Sequence, residues 1–342
     1  MGKKLTINDI AKMANVSKTT VSFILNNKEG VSEQTRQKVL SVIEQTNYKP
    51  TLNSKRLYYH KSFTIAVVCD KDAPIFDNIY YYGIMSALLK RCTHYNYTLA
   101  YSEYSFDGNE LILPENIQDK DVDGLIFLKD IPLALISKLH ALAIPFVVVD
   151  DHSEYDSLYT VKLDCELAAY TAVSYLIQQG HCKIGFIGNM NLPSFYTQVF
   201  SGYQRALKES NLSIELSWFF DKIQDRETME AYISQMIQEK ELPTAIFCME
   251  DFLAIELIRF LQKSNVKVPD DISVISVDDL IISNQIYPGL TTVAVDKEQM
   301  GRSAIDILMD LINKKETKSI TVSSTDLIVR ESVKSLLPEA QP

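Results

Sequence analysis

The residues best suited to chemistry with a polyanion sit near the N-terminus. Residues 6–26 read TINDIAKMANVSKTTVSFILN. Taken at about 100° per residue, Thr19, Ser22, Phe23 and Asn26 fall opposite an apolar face of Val21, Ile24 and Leu25, with Lys18 on the flank. The outward face is small, polar and basic, with one aromatic. Such side chains hydrogen-bond to base edges, and their shortness lets a helix backbone approach the floor of a DNA major groove. Catalysis has no comparable foothold. The chain contains no G-x-x-x-x-G-K-[ST], H-E-x-x-H or G-x-S-x-G, and Gly185 and Gly188 lack the spacing of a dinucleotide loop. His60, His94, His140, His152 and His181 are dispersed. Neither a metal nor any other cofactor is expected, and the chain does not read as an enzyme.

Two short helices and a tight turn must carry that face. Ile7, Ile10, Ala11 and Ala14 repeat at helical spacing behind Thr6, which is placed to cap the first helix. Asn15-Val16-Ser17 forms the turn, and Ser17 caps the second helix. Ser32 starts a third, with Glu33 in its first turn and Val39, Val42, Ile43 and Thr46 along one face. Arg36 and Lys38 are candidate phosphate contacts, which position without specifying; a merely solvated basic face reads equally well. Tyr48-Lys49-Pro50 ends this head. Residues 51–57 then form a helical stretch too short to be stable alone in water. Leu57, flanked by Lys55 and Arg56, has the composition of a minor-groove wedge, although the stretch by itself also reads as an ordinary linker.

Charge separates this head from the rest. Residues 1–61 hold 11 Lys/Arg against 4 Asp/Glu, whereas the remaining residues hold 23 against 40. A basic head on an acidic body implies that only the head meets nucleic acid. At 342 residues the chain is long enough for two or three domains. No apolar run approaches the roughly 18 residues of a membrane span, and no secretory signal follows Lys3 and Lys4. Cys69, Cys92, Cys165, Cys182 and Cys248 lack CxxC spacing, as expected of reduced thiols in a cytoplasm. From residue 63 onward short apolar runs alternate with helical stretches, at 64–69, 97–102, 123–128, 144–149, 160–163, 183–188, 244–248 and 273–277. That pattern indicates parallel sheet buried on both faces, in too many strands for one doubly wound sheet. His181 reads as an anchor between loop and strand, His152 as a surface residue or, beside Asp150 and Asp151, as a group titrating near the cleft, and Tyr80-Tyr81-Tyr82 as helix packing or interface.

Four patches together resemble the lactose-repressor (LacI/GalR) family of bacterial transcription factors. They are TINDIAKMANVSKTTVS; VSEQTRQKV with NYKP; VDGLI; and PTAIF with DISVISVDDL and LTTV, in family order from about residue 5 to 332. The resemblance implies an N-terminal all-α helix-turn-helix head and an α/β periplasmic-binding-protein-like core of two doubly wound lobes. It places the head at 1–47, a hinge helix and linker at 48–61, one lobe at 62–161 with 292–321, the other at 162–291 with 322–332, and a tail at 333–342. It also implies that Thr6, Ser17, Lys18, Thr19, Ser22, Phe23, Asn26, Arg36, Tyr48, Ser54, Lys55 and Leu57 belong to the DNA-binding set, with Leu57 wedging into the central step of the operator. Two departures matter. Phe23 stands where the family commonly has Arg, and Ser54-Lys55 replaces the usual Ala-Arg pair.

In such folds ligands bind across the crevice at the C-terminal ends of strands. The expected effector-binding residues are Asp72, Phe76, Asp150, Asp151, Ser194, Tyr196, Val199, Glu250 and Asp278. Val199 replaces a family Arg that often clasps sugar hydroxyls, Glu250-Asp251 replaces Asn-Asp, and Asp150-Asp151 replaces Asp-Arg. The expected cleft is thus rich in acceptors and poor in cations, suited to a neutral sugar or polyol or to a cationic small molecule. The resulting expectation is a homodimeric, effector-controlled repressor of a double-stranded DNA operator, with no membrane partner. The competing readings are a regulator gated by a partner protein such as a phosphocarrier, and a solute-binding protein or carbohydrate enzyme.

Overall fold

The computed structural model describes residues 5–25, 30–46, 48, 56, 61–73, 75–153, 155, 158–189, 193–221, 226–323 and 326–338. The chain divides into two compact units, residues 1–63 with 121–123, and residues 64–120 with 124–342.

The first unit is the head. Helices α1 (Ile7–Ala14), α2 (Lys18–Leu25) and α3 (Glu33–Thr46) enclose a small core of Ile10, Ala11, Ala14, Val21, Ile24, Val39 and Tyr48. The caps are those expected. Thr6 and Asp9 form a reciprocal capping box on α1, and Asn15 at φ 50° ends the helix with its N–H turned back to Ala11 and Lys12 carbonyls. Ser17 Oγ accepts from Thr20 N at 3.0 Å to cap α2, and Ser32 Oγ accepts from Thr35 N at 3.3 Å to cap α3. In the same unit the Arg56 guanidinium donates to the Ser62 carbonyl at 2.7 Å, and the Asp123 carboxylate accepts from Ser62 N and Phe63 N, each at 2.8 Å. Asn26 and the hinge residues Ser54, Lys55 and Leu57 lie outside the described residues.

The second unit runs β1 (Thr64–Asp70), α4 (Tyr80–His94), β2 (Thr98–Asp107), β3 (Glu110–Ile112), α5 (Glu115–Gln118), β4 (Gly124–Leu128), α6 (Leu133–Leu142), β5 (Phe146–Val149) and β6 (Thr160–Leu163). It continues through α7 (Cys165–Gln178), β7 (Ile184–Ile187), α8 (Pro193–Glu209), β8 (Phe219–Phe220), α9 (Arg226–Glu239), β9 (Ala245–Cys248), α10 (Asp251–Lys263), β10 (Ser273–Asp278) and β11 (Thr291–Ala294). It closes with α11 (Lys297–Ile312), β12 (Ile320–Val322) and β13 (Leu327–Ile328). One sheet has the order β12-β6-β5-β4-β1-β2-β3 and the other β13-β11-β10-β9-β7-β8. Both are parallel except at the edges β3 and β13. Two lobes result, and strand membership puts the chain's crossings between them after Leu163, after Ala294 and after Val322.

The apolar runs of the sequence became strands because both faces of each sheet are covered; β4, β5, β7 and β9 are buried along their whole length. In the second lobe α7 and α8 approach backbone to backbone at Gly202, where a Cβ would stand 2.1 Å from the Glu166 carbonyl oxygen. His181 is fully buried, with Nδ1 3.0 Å from Thr244 Oγ1 and Nε2 3.1 Å from the Lys334 carbonyl, the anchor its sequence position suggested.

One buried carboxylate ties together the strand ends of the second lobe. Asp251, the first residue of α10, has no exposed surface and accepts from Ser276 Oγ at 2.6 Å, Thr292 Oγ1 at 2.6 Å, Leu280 N at 2.8 Å and the Ser283 hydroxyl. A buried charge persists only with such a complement of donors. Replacing Asp251 with Ala strands four donors, and the core is expected to lose about 3 kcal/mol of unfolding free energy. Urea denaturation of the two proteins measures it, and a loss within experimental error of zero would refute the assigned role.

Candidate functional site

The head presents a narrower surface than a helical wheel suggests. Lys18 and Thr19 are exposed on α2 and Phe23 is half-buried, as a groove-facing helix requires. Ser22 is instead buried at 3 % exposure. It lies one 100° step from the inward Val21, on the flank of α2 and not opposite the core, and its side chain is short enough for neighbours to cover. Tyr48 is likewise a core residue, 6 % exposed, and its hydroxyl is buried without a partner among the described residues. Burial and the charge of Asp9 raise its pKa, so in this structure it is not a surface contact. Arg36 is half-buried with Nε 4.0 Å from Glu33. Thr6 and Ser17 use their hydroxyls for capping.

In the second unit the C-terminal ends of the strands bring charged groups of both lobes together. Asp150 follows β5 in the first lobe. Its carboxylate accepts from Tyr81 Oη at 2.9 Å and more weakly from Tyr80 Oη at 3.5 Å, and His152 Nε2 lies 3.3 Å away. Burial alone would raise the Asp150 pKa, but the hydrogen bond and charge of His152, with the Tyr81 and Tyr80 hydroxyls, bring it below its ordinary value. Burial opposes the charging of His152, and Asp150, then Asp130 and Asp151, outweigh it and raise the imidazole. His152 also donates its backbone N–H to Asp130 at 2.6 Å, and its ring meets that of Phe195, on α8 of the second lobe, at 4.8 Å. His152 is therefore a partner of the cleft and not the exposed residue its sequence position suggested. Tyr80 and Tyr81 are buried, with their hydroxyls directed to Asp150 and not to an outer surface; only Tyr82 is exposed.

From the second lobe come Glu250, after β9, and Asp278, which ends β10. Burial, then Asp251 and then Asp150, raise Glu250 to about 6, while Lys129 lowers it. Asp278 is pushed well above the ordinary carboxylate range by burial and by Asp251, and Lys297 pulls it back. Burial lowers Lys297 in turn, opposed by Asp278, Asp251, Asp279 and Asp150. The Lys297 amine donates to the Asp278 backbone carbonyl and lies 5.1 Å from the centre of the Tyr80 ring. Lys129, Asp150, Asp278 and Asp279 adopt φ of 78°, 61°, 129° and 52°. Backbone strain of that kind in non-glycine residues concentrates at binding sites.

Other expected cleft residues do different work. Asp151 is fully buried and held locally, with Ser153 Oγ donating to it at 2.6 Å and Lys162 Nζ 3.3 Å away. Val199 is packed in the core at 2 % exposure. Asp72 is exposed in the turn after β1, its N–H bonded to Asp70, and the Phe76 ring pairs with Tyr101 at 5.0 Å. Ser194 is half-buried in the first turn of α8. Tyr196 donates to Asp221, just after β8, at 3.2 Å and stacks on Phe200. The expected poverty in cations is also corrected, because Lys297 and Lys129 both act on the cleft carboxylates. Sequence reasoning passed over Lys297, although a lysine opening a helix, where the dipole disfavours it, is a visible signal.

Residues 6–51 match the family described as bacterial regulatory proteins, lacI family, and residues 173–333 match the periplasmic binding protein-like domain. Over 337 residues the chain is 31 % identical to the HTH-type transcriptional repressor PurR of Photobacterium profundum, covering 97 % of this chain and 99 % of that one. The chain belongs to the lacI family. The Lac repressor dimer bound to operator and the anti-inducer ONPF is similar in fold, with a TM-score of 0.71, 22 % identity, 97 % of this chain covered and 100 % of that one. So is the transcriptional regulator CelR in its cellobiose complex, with a TM-score of 0.66, 22 % identity, 96 % of this chain covered and 99 % of that one. Like its relatives, this lacI-family chain is a DNA-binding transcriptional repressor and not an enzyme. Among the described residues no helix is long and apolar enough to cross a membrane, and the five cysteines are free.

The Asp150–His152 pair gives a pH dependence whose sign can be worked out. His152 is raised above its ordinary 6.5, so its stabilisation is full below that value and lost as pH rises through the raised one; Asp150 is lowered from 3.8, so its share is lost only in acid. The stability of the parent protein should therefore fall as pH rises from 6.5 through the raised value of His152, and His152→Gln should flatten that fall. Identical pH slopes in thermal unfolding would mean that the pair does not form.

Proposed function

We propose that the interlobe cleft of this repressor binds a neutral polyhydroxy molecule, a sugar or polyol, and that the head reads its operator mainly through Lys18, Thr19 and Phe23. The observation that carries the first part is the chemistry of the facing strand ends. Asp150, Glu250 and Asp278 offer acceptors, the Tyr80 and Tyr81 hydroxyls lie among them, and the Lys297 amine is already engaged by the Asp278 carbonyl. Hydroxyl groups satisfy such acceptors without bringing charge into a buried site. A phosphate would enter beside the charged Asp150, and the nearby Lys297 amine is already engaged by the Asp278 carbonyl. The likeness to a regulator complexed with cellobiose is consistent with this ligand class.

Control then follows from linkage. An effector that binds one relative pose of the lobes better than another shifts the population between poses, and operator affinity shifts with it by the same coupling free energy. The residues at 51–57 are the proposed second contact with operator DNA, with Leu57 as its wedge and Ser54 and Lys55 beside it.

Two measurements test this reading. In a thermal-shift screen of neutral sugars and their phosphates, a neutral sugar should stabilise the full chain by about 2.7 kcal/mol at about 100 times its dissociation constant. A sugar phosphate that binds more tightly than its dephosphorylated form overturns the ligand class. In gel shifts on the DNA upstream of the gene, Thr19→Ala should cost about 1–3 kcal/mol on the cognate site, whereas Lys18→Ala should weaken binding to all sequences and reduce the salt slope by about one. Operator binding unaffected by either change overturns the proposed face.

A further inference from the structure

Lys297 reaches from one lobe into the other. It is the first residue of α11, which packs on α4, β4 and β5 of the first lobe. Its amine nevertheless donates to the backbone carbonyl of Asp278, at the end of β10 in the second lobe. The stem that carries the amine there is held in a groove. Gly83, inside α4, has no side chain, and a Cβ at that position would stand 2.9 Å from Lys297 Cδ and 3.1 Å from Lys297 Cβ. Glycine inside a helix sacrifices helix propensity; here it opens the channel through which the lysine passes. The amine then lies over the face of Tyr80, 5.1 Å from the ring centre, a favourable place for a cation.

The charges around this amine belong to both lobes. Asp150 acts on it from the first, and Asp278, Asp251 and Asp279 act on it from the second. Carboxylates that face one another across a partly dry cleft repel, and a positive group between them turns that repulsion into a shared attraction. The same side chain thus supplies a hydrogen bond between lobes and the charge that lets their acidic ends approach.

We infer that Lys297 is a tether between the two lobes, a positioning residue that sets their relative pose before any ligand enters the cleft. The inference holds whatever the effector is, because it concerns the ligand-free protein.

The full-length chain offers a direct test. Cys182 is exposed while the other four cysteines are buried, so a spin label on it, with a second on Lys138→Cys at an exposed position of α6, reports the distance between lobes. Dilution with unlabelled protein restricts the signal to pairs within one protomer. The labelled parent should give one narrow peak. Lys297→Met should lose that single peak and move weight to longer distances. Gly83→Ala keeps the charge and gains helix propensity while pushing on the lysine stem, and it should move weight the same way; a lysine that served stability alone would not produce that result. A folded Lys297→Met with the parent's distance overturns the proposal. If Lys297→Met does not fold, an unchanged distance in Gly83→Ala overturns it. A cleft that answers to no sugar would refute the ligand class and leave this result untouched.

Discussion

The cleft of this repressor depends on one constraint: carboxylates brought together away from water must be neutralised, hydrogen-bonded or protonated. Each of the acidic strand ends answers it differently. Asp251 is surrounded by hydroxyl and amide donors and becomes a structural knot. Asp150 is held by two tyrosines and a histidine, and keeps its charge more readily than a free aspartate. Glu250 has no such escort among the described residues, and burial first of all raises its pKa to about 6. Asp278 shares its surroundings with Lys297. The four are similar in type but differ in function because their donors differ.

That division explains how a strongly acidic core can form a binding cleft at all. Acidic groups satisfied from within serve as structure, while those left with accepting capacity are available to a ligand. The same division operates in the head, where Thr6, Ser17 and Ser32 give their hydroxyls to helix ends. Lys18 and Thr19 make no cap and face outward. In both units, capping and knotting consume the polar residues nearest the elements they start, and leave their neighbours without such a task.

Much of this architecture was legible in the sequence because its signal is local. Buried parallel strands such as β4 and β5 are continuous apolar runs, and caps announce themselves by residue type. The strands β3, β8 and β12 were not legible, since edge strands of two or three residues lack enough side chains to set a period. The site was less legible because membership depends on partners distant in the chain. Nothing around Ser22, Tyr48, Asp151 or Val199 in the sequence tells that neighbours cover them. His152 meets Asp150 where the chain leaves β5, with Asp150 itself in the left-handed region. A period of 3.6 or 2 carries no record of such a turn.

Positive φ at four non-glycine residues of the cleft has a further consequence. Lys129, Asp150, Asp278 and Asp279 all hold conformations that side chains disfavour, each retained only where surrounding contacts over-determine it. For Asp279 the contact is Arg330, whose guanidinium donates to it at 2.6 Å; for Asp150 it is His152 and the tyrosine pair; for Asp278 it is the Lys297 amine on its carbonyl. Hydrogen bonding and backbone strain are thus balanced in the same few residues. A ligand hydroxyl that competes for one of these acceptors alters the contact that keeps the backbone strained as well as the charge. The proposed neutral effector would draw on strain already present in the strand ends and would not need to bring charge of its own.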